Sequence, residues 1–256
     1  MTARHLRLLA ILMVSCAGRA FAQAPAAPKE PPPLWDLQVG ASFVGTSGNS
    51  DTSSTGADFE AHRRGEVWKI DTTATAVHTS DKGDTTAERY LGTVRVNRTL
   101  NPRIGVSAGE KAEHDRFAGI DFRNIADVGL AWALVHQATW TLDGVTGIAW
   151  NHESRTVGEN LDDPVGLLQL LSRIPFGGSG DTTQRVTFYP DFRTSSAYRT
   201  EVELTAQAAM NGHLALKIGY LLRFSNAPVA GFEKTDNTTT ASVVFRWKAS
   251  QPAPAP

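Results

Sequence analysis

The chain contains a single cysteine, Cys16. Everything after it is therefore closed to disulfide frameworks and to cysteine metal centres. Long hydrophobic runs are also lacking. Beyond residue 22 no apolar stretch approaches the roughly 20 residues that a membrane helix needs. Positive charge is not in excess: Lys plus Arg number 25 against 26 for Asp plus Glu, a formal net charge of −1. A nucleic-acid partner would need a basic face, which this balance does not supply. No phosphate-cradling glycine loop, zinc motif or nucleotide fingerprint is present. Helical periodicity is missing over any useful length.

What is present begins with export. Arg4 and Arg7 precede an apolar run from Leu8 to Val14, and Ala20-Phe21-Ala22 offers small residues where a signal peptidase reads. Residues 1–22 thus read as a cleaved secretory signal, with an apolar run too short to span a bilayer as a helix. A rival reading makes Cys16 a lipoprotein acylation site after Met13-Val14-Ser15, which Met13 suits poorly. Removing residues 1–22 would take away Arg4, Arg7 and Arg19 and no acid, leaving a more acidic chain. Residues 23–34 form a proline-rich linker without means of packing a core, and residues 248–256 form a flexible proline/alanine tail. An exported chain without a helical span is periplasmic, secreted or an outer-membrane barrel.

Residues 35–247 are dominated by period-two alternation of threonine, valine, aromatics and glycine. About twelve strands are expected, beginning near Trp35, Ser53, Glu66, Thr85, Arg103, Asp121, Ala138, Pro164, Thr182, Ala197, His213 and Asn237. Most are longer than the 5–6 residues usual in soluble sheets and match the roughly 9–11 of a tilted membrane strand. Only Asp162 to Ile174, bracketed by Pro164 and Pro175, leaves helix and strand undecided. The expected connections alternate in length. Thr46 to Thr52, Asp115 to Ile120, Asn151 to Asp163 and Ala227 to Asp236 read as long, the third longest. Arg64-Gly65, Asn101-Pro102 and Asn211-Gly212 read as tight turns. Tight periplasmic turns and longer outer loops are the mark of a transmembrane β-barrel, and an even strand count puts both ends on the periplasmic side.

The alternation separates an apolar face from a polar one. Trp140, Leu142, Ile148 and Trp150 share one face of the seventh strand, while Thr141 and Asp143 lie on the other. Leu214, Leu216, Ile218 and Tyr220 oppose Lys217 and Arg223 in the eleventh. Charges cannot face hydrocarbon cheaply, so they must line the interior. The parity assigns the acids Asp36, Asp58, Glu60, Asp71, Asp127, Asp143, Glu201 and Glu203 to the lumen. It also assigns the bases Lys69, Arg89, Arg95, Arg173, Arg185, Lys217, Arg223 and Arg246. This balance predicts a lumen cross-linked by ion pairs, with Asp71, Arg89, Arg95, Glu203, Arg223 and Arg246 as its candidate lining charges. Trp35, Trp68, Trp132, Trp140 and Trp247 fall near periplasmic strand ends and Trp150 near the outer rim, which suits an aromatic girdle.

Several stretches resemble the YdiY-like family of salt-induced outer-membrane proteins, a domain family of unknown function. They are Thr46-Ser47-Gly48-Asn49-Ser50-Asp51-Thr52, Ala87-Glu88-Arg89-Tyr90, and Lys234-Thr235-Asp236 before a strand ending in aromatics. The most specific is Asp115-Arg116-Phe117-Ala118-Gly119-Ile120-Asp121, in which Asp115, Arg116, Phe117, Gly119 and Asp121 mark an outer loop. The resemblance covers roughly residues 36 to 247 and implies an all-β, antiparallel outer-membrane barrel, possibly tied to salt or osmotic stress. It implies as partners outer-membrane lipid and, during biogenesis, the barrel-assembly machinery and periplasmic chaperones. The chain departs from the usual barrel-assembly signal by continuing past its last aromatic, Trp247.

Chemistry is sparsely indicated. A hydrolase would need a serine beside a histidine, and His78-Thr79-Ser80 and His152-Glu153-Ser154 both have the same-face spacing. No acid is evidently placed to orient either histidine. Glu113-His114-Asp115 could ligate a metal on an outer loop, and the pairs Asp81/Asp84 and Asp162/Asp163 could bind calcium. None has a recognised ligand spacing, so no catalytic residue, metal site or cofactor is assigned. The expected role is a narrow or occluded channel or a structural envelope protein. The alternatives are a phospholipase-like hydrolase and a barrel that binds a surface ligand on its long loops.

Overall fold

The computed structural model describes residues 34–47, 52–81, 84–194 and 196–249, with side chains except at 43–47, 52–54, 79–81 and 84–87. The expected signal, linker and most of the tail lie outside the described residues. Six strands build the first half: β1 (Trp35–Ser47), β2 (Thr52–Arg64), β3 (Trp68–Asp81), β4 (Asp84–Thr99), β5 (Ile104–Asp115) and β6 (Ile120–Gln137). Six more follow: β7 (Trp140–Arg155), β8 (Leu161–Phe176), β9 (Gly180–Pro190), β10 (Tyr198–Ala209), β11 (Leu214–Ser225) and β12 (Thr235–Ala249). Each pairs antiparallel with its chain neighbours, and β1 pairs β12 from Trp35↔Ala249 to Ser47↔Asn237. The ring is closed, so no strand edge is left unpaired. The expected all-β fold of twelve antiparallel strands is the one observed, with β12 continuing through Lys248 and Ala249 past the boundary expected at Trp247.

At the end where the chain enters and leaves, the connections are 65–67, 100–103, 138–139, 177–179 and 210–213. Two of these turns share one device. The Asn101 side chain accepts from the amides of Arg103 (2.8 Å) and Ile104 (2.9 Å), and Asn211 accepts from His213 and Leu214 (both 2.8 Å). Such side-chain closure makes a short polar turn without a longer loop. The opposite end is less extended than the sequence suggests. The stretch expected as the longest loop is a hairpin: β7 runs to Arg155, β8 starts at Leu161, and only 156–160 connect them. Period-two alternation persists there, with Asn151 and Glu153 buried and Trp150 and His152 exposed. Among the described residues at this end, the extended connections are 191–194 with 196–197, and 226–234.

The undecided segment Asp162 to Ile174 is strand β8. Its pattern was hidden because both faces are apolar: Leu167 is buried inside while Leu168 and Leu170 are exposed outside. The interior is accordingly not polar throughout. Ile125, Val145, Ala149, Val165, Leu167 and Tyr189 form a buried cluster on the inner faces of β6 to β9. Across the bore, Ala215 and Val244 are wholly buried. The outer wall is the reverse, with Ile148 62 %, Val128 57 % and Phe245 51 % exposed. Part of the bore is thus occupied by packed apolar side chains.

The inner apolar cluster behaves as a packed core. Leu167→Ala, which opens a cavity against its cluster, should lower the unfolding free energy by about 2–4 kcal/mol, whereas Leu168→Ala on the outer face should cost clearly less. Urea titration of the refolded barrel measures both, and equal losses would show that the inner cluster is not tightly packed.

A charged lumen under a loop as the candidate functional site

The inner faces of β4, β5, β6, β7, β10 and β11 carry charged side chains to one level of the bore. Glu113 on β5 is at its centre. It accepts from Arg89 (2.9 Å), Arg123 (3.2 Å) and Arg223 (3.4 Å), with Lys111 at 3.8 Å. Asp115, two residues on, pairs with Arg89 (3.2 Å) and with Arg223. Glu153 on β7 takes Arg123 (2.8 Å), Arg155 (2.6 Å) and Arg199 (3.1 Å), and Asn151 also accepts from Arg199 (3.1 Å). Lys111 reaches Glu201 on β10 at 2.5 Å. Glu113, Asp115 and Glu153 are essentially inaccessible to solvent. Burying carboxylates so deeply is tolerable where cationic partners surround them.

Position in the ring gives these contacts their meaning. β5 and β11 stand half the ring apart, so Arg223 with Asp115 and Glu113 is a strut across the full bore. Lys111 with Glu201 is a second. Further toward the chain termini, Arg95 makes a two-pronged contact with Asp127 (2.8 and 2.7 Å) and donates to Ser107 (2.8 Å). Lys217 on β11 reaches Glu60 (2.7 Å) and Asp58 (3.3 Å) on β2, and Gln207 on β10 donates to Gln38 on β1 (3.3 Å). Asp71 holds Arg64 (2.6 Å) and His62 (2.7 Å), and Arg185 holds Glu203 (2.6 Å).

A loop covers the end of the bore nearest this network. Residues 226–234 join β11 to β12. Val229 is buried, the Ala227 carbonyl accepts from Arg155 (3.4 Å), and Asn226 donates to the Ser196 carbonyl (2.6 Å). Phe232 packs on Gly119, the residue that ends the 3-10 turn Arg116–Ala118 between β5 and β6. Gly119 has φ 69°, a left-handed conformation, and a Cβ there would lie 2.4 Å from the Phe232 ring. Glycine is required on both counts. Beneath the loop lies a cavity of about 90 Å³ bordered by Tyr189, Arg199, Glu201 and Arg223.

The sequence-assigned residues divide between these features. Asp71, Arg89, Arg95, Glu203 and Arg223 each make the contacts described above. Arg246 lies 4.0 Å from Asp36, and its Nε has no hydrogen-bond partner. Of the motif after β5, Asp115 faces the lumen and also caps the 3-10 turn through the Phe117 amide (3.0 Å). Phe117 is buried against Val77. Arg116 stands outside, 3.6 Å from Glu88, and Asp121 is exposed, its carbonyl accepting from His114 (2.6 Å). Asp143, assigned to the lumen, meets His136 at the rim (2.8 Å) and is nearly half exposed.

Two chemical candidates are not assembled. Glu113-His114-Asp115 is split by the pleat: the two acids face inward and His114 faces outward, so no common ligand set forms. Among the described residues no group of three or more histidines, cysteines and acids is placed to hold a metal. His152 has Asp162 nearby at 3.8 Å, an acid the sequence did not place there, but that carboxylate accepts from the Trp150 indole (2.5 Å). No hydrogen bond joins His152 to Ser154 among the described residues, and the Ser80 side chain lies outside them. Sequence reasoning missed Lys111, Arg123, Arg155 and Arg199 as lumen groups, and it took Glu113 and Glu153 for loop residues. Continued parity from Ser107 and Ala149 would have found the β5 and β7 members.

The class defined by this geometry is a closed antiparallel barrel with an apolar outer wall and a bore braced by charge. The chain belongs to the family described as "Protein of unknown function, DUF481", whose model matches residues 39–247. In fold it is similar to the NanC porin (13 % identity, TM-score 0.55), a match covering 81 % of this chain and 98 % of that one. It is also similar to the COG4313 outer membrane channel from Pseudomonas putida F1 (12 % identity, TM-score 0.53), covering 88 % and 100 %. Among curated proteins, none matches the sequence.

The two ends of the exposure range make a direct contrast. Glu113→Leu would leave Asp115 and Glu153 alone to hold the buried Arg89, Arg123 and Arg223 and should cost about 3–5 kcal/mol. Glu203→Leu breaks a pair whose members are 35 % and 41 % exposed and should cost about 0–1 kcal/mol. Chemical unfolding of both variants measures the difference, and comparable losses would remove Glu113 from the centre of the network.

Proposed function

We propose that this protein is an outer-membrane channel in a closed state, its bore barred by ion pairs and its mouth covered by residues 226–234. The strut from Arg223 to Asp115 carries the reading. A purely structural barrel has no need of ionised groups in its bore, because apolar side chains of similar volume fill space at equal or lower free energy. Charged struts, by contrast, can exchange their partners for water and ions when they separate, so the charged part of the bore can be wetted.

The setting rests on several supports. The outer wall is apolar along its strands, and Trp68, Trp140 and Trp247 are exposed near the end where the chain enters and leaves. Indole rings favour a membrane–water interface. The similar structures are a porin and an outer membrane channel. Residues 1–22 supply the export signal for that route, with barrel-assembly machinery and periplasmic chaperones as biogenesis partners. The YdiY-like resemblance adds a link to salt or osmotic stress. The protein is read as non-catalytic: among the described residues no hydrogen bond joins His152 to Ser154, and the Asp162 carboxylate beside His152 accepts from the Trp150 indole.

Planar-bilayer recording of the refolded chain tests this, after a heat-shift gel has shown a folded barrel. The wild type should give rare or no current steps. Replacing residues 227–233 by a short glycine-serine turn, combined with Arg223→Ser and Asp115→Ser, should give stable steps several-fold more frequent. A folded triple change that conducts no better than wild type would sink the channel reading and leave a structural barrel.

A further inference from the structure

The outer wall is not uniform. Over β7, β8, β11 and β12 it presents large apolar side chains: Ile148, Trp150, Leu168, Leu170, Leu216, Ile218, Val243 and Phe245 are all exposed. The wall from β2 to β6 differs in two ways. First, a groove of about 590 Å³ runs over Ala74, Gly92 and Ala112, with Phe59 and Phe122 at its sides. The register sets these residues in one row across the strands: Phe59↔Ala74, Ala74↔Gly92 and Gly92↔Ala112. A Cβ at Gly92 would meet nothing within 4 Å, so the groove is open space.

Second, beside the groove lies a polar pair. Glu110 occupies an outward position of β5 between Ala108 and Ala112, and it is exposed. The Asn124 amide on β6 donates to its Oε1 at 2.9 Å. Among the described residues no ion pair to Glu110 is present. Other outward charged groups near this face stand at the strand ends, such as His78, Glu88, His114 and Arg116, which cluster at one rim. Glu110 lies well inside the strand, between Ile104 and Asp115. If the wall meets hydrocarbon, which rests on the outer-membrane reading above, a carboxylate and an amide there are expensive and mark a functional contact.

We infer that the β2–β6 wall is the face on which a second copy of this chain docks within the membrane. The pair is self-complementary. A carboxylate accepts about four hydrogen bonds and an amide NH₂ donates two; the internal bond uses one of each. Across a two-fold axis along the membrane normal, each Asn124 can donate its second hydrogen to the Glu110 of the other copy. The wall is also self-complementary in shape. Phe122, 43 % exposed, borders the groove of its own chain and is presented to the groove of the next. Shallow small-residue surfaces let membrane segments approach closely, and a two-fold contact uses the same patch on both partners. Acyl chains alone would fill the groove but would leave the carboxylate and amide without further partners.

Cysteine cross-linking in native outer membranes tests this with the full chain. With Cys16 replaced by serine, Ala112→Cys should give an oxidised species at twice the chain mass. Ile218→Cys, on the opposite wall, should not. Gly92→Trp fills the groove, and Asn124→Leu removes the shared donor. In the Ala112→Cys background each should reduce the cross-linked fraction about tenfold, equivalent to about 1.4 kcal/mol. A heat-shift gel checks that every variant is a folded barrel, and if Gly92→Trp does not fold, Asn124→Leu decides. Absence of the dimer band, equal cross-linking at Ile218→Cys, or capture of a different chain at Ala112→Cys overturns the proposal. Membrane fractionation is read separately: a chain absent from the outer membrane defeats the setting, whereas a chain present there but uncross-linked defeats only the dimer.

Discussion

Everything in this structure follows from the pleat. In a closed sheet each residue points either outward or into the bore. The same period that sends Val128, Ile148 and Phe245 out sends Asp127, Glu153 and Arg246 in. A chain under this constraint must choose what to put in the bore. Here the choice is mixed: an apolar cluster on β6 to β9 and charged struts from β5 to β10 and β11. The apolar part supplies packing, and the charged part fixes which strands face one another across the bore.

The charged part is not an efficient way to hold a barrel together. Desolvating ten or so ionised groups offsets most of their mutual attraction, so the network earns little net stability. Its effect is to make the bore specific and conditional. Glu113 has several cationic neighbours and Glu153 three, so no single contact is decisive, yet removal of either acid widens the excess of buried cations over the carboxylates that hold them. The network is robust to the loss of one bond and sensitive to the loss of one carboxylate.

Much of this was legible from the residues and some was not. Strand number, strand starts and the inward parity of Arg89, Arg95, Asp127 and Lys217 follow from alternation alone, because each depends on one strand at a time. Three things were hidden. Asp162 to Ile174 has apolar residues on both faces, so its period vanished where the bore itself is apolar. Glu113 and Glu153 were read as loop because charged residues at strand ends look like solvated turns, although their parity was intact. Contacts across the bore, such as Arg223 with Asp115, depend on ring closure and shear, which period-two patterns do not encode. The Glu110–Asn124 pair was overlooked for a related reason: parity places Glu110 outside, where a charge contradicts the apolar wall, and a single exception does not disturb a pattern.

The lid and the struts are one mechanical unit. Asp115 ends β5, caps the 3-10 turn through the Phe117 amide and pairs with Arg223. Phe117 packs on Val77, and Gly119 at the end of the same turn receives Phe232 from residues 226–234. Arg223 in turn lies on β11, the strand that leads directly into that loop. A displacement of Phe232 from Gly119 therefore acts on the turn whose cap is a strut residue, and separation of the strut frees the strand end from which the loop departs. In the proposed closed channel, mouth and bore therefore share Asp115 and Arg223 at their junction.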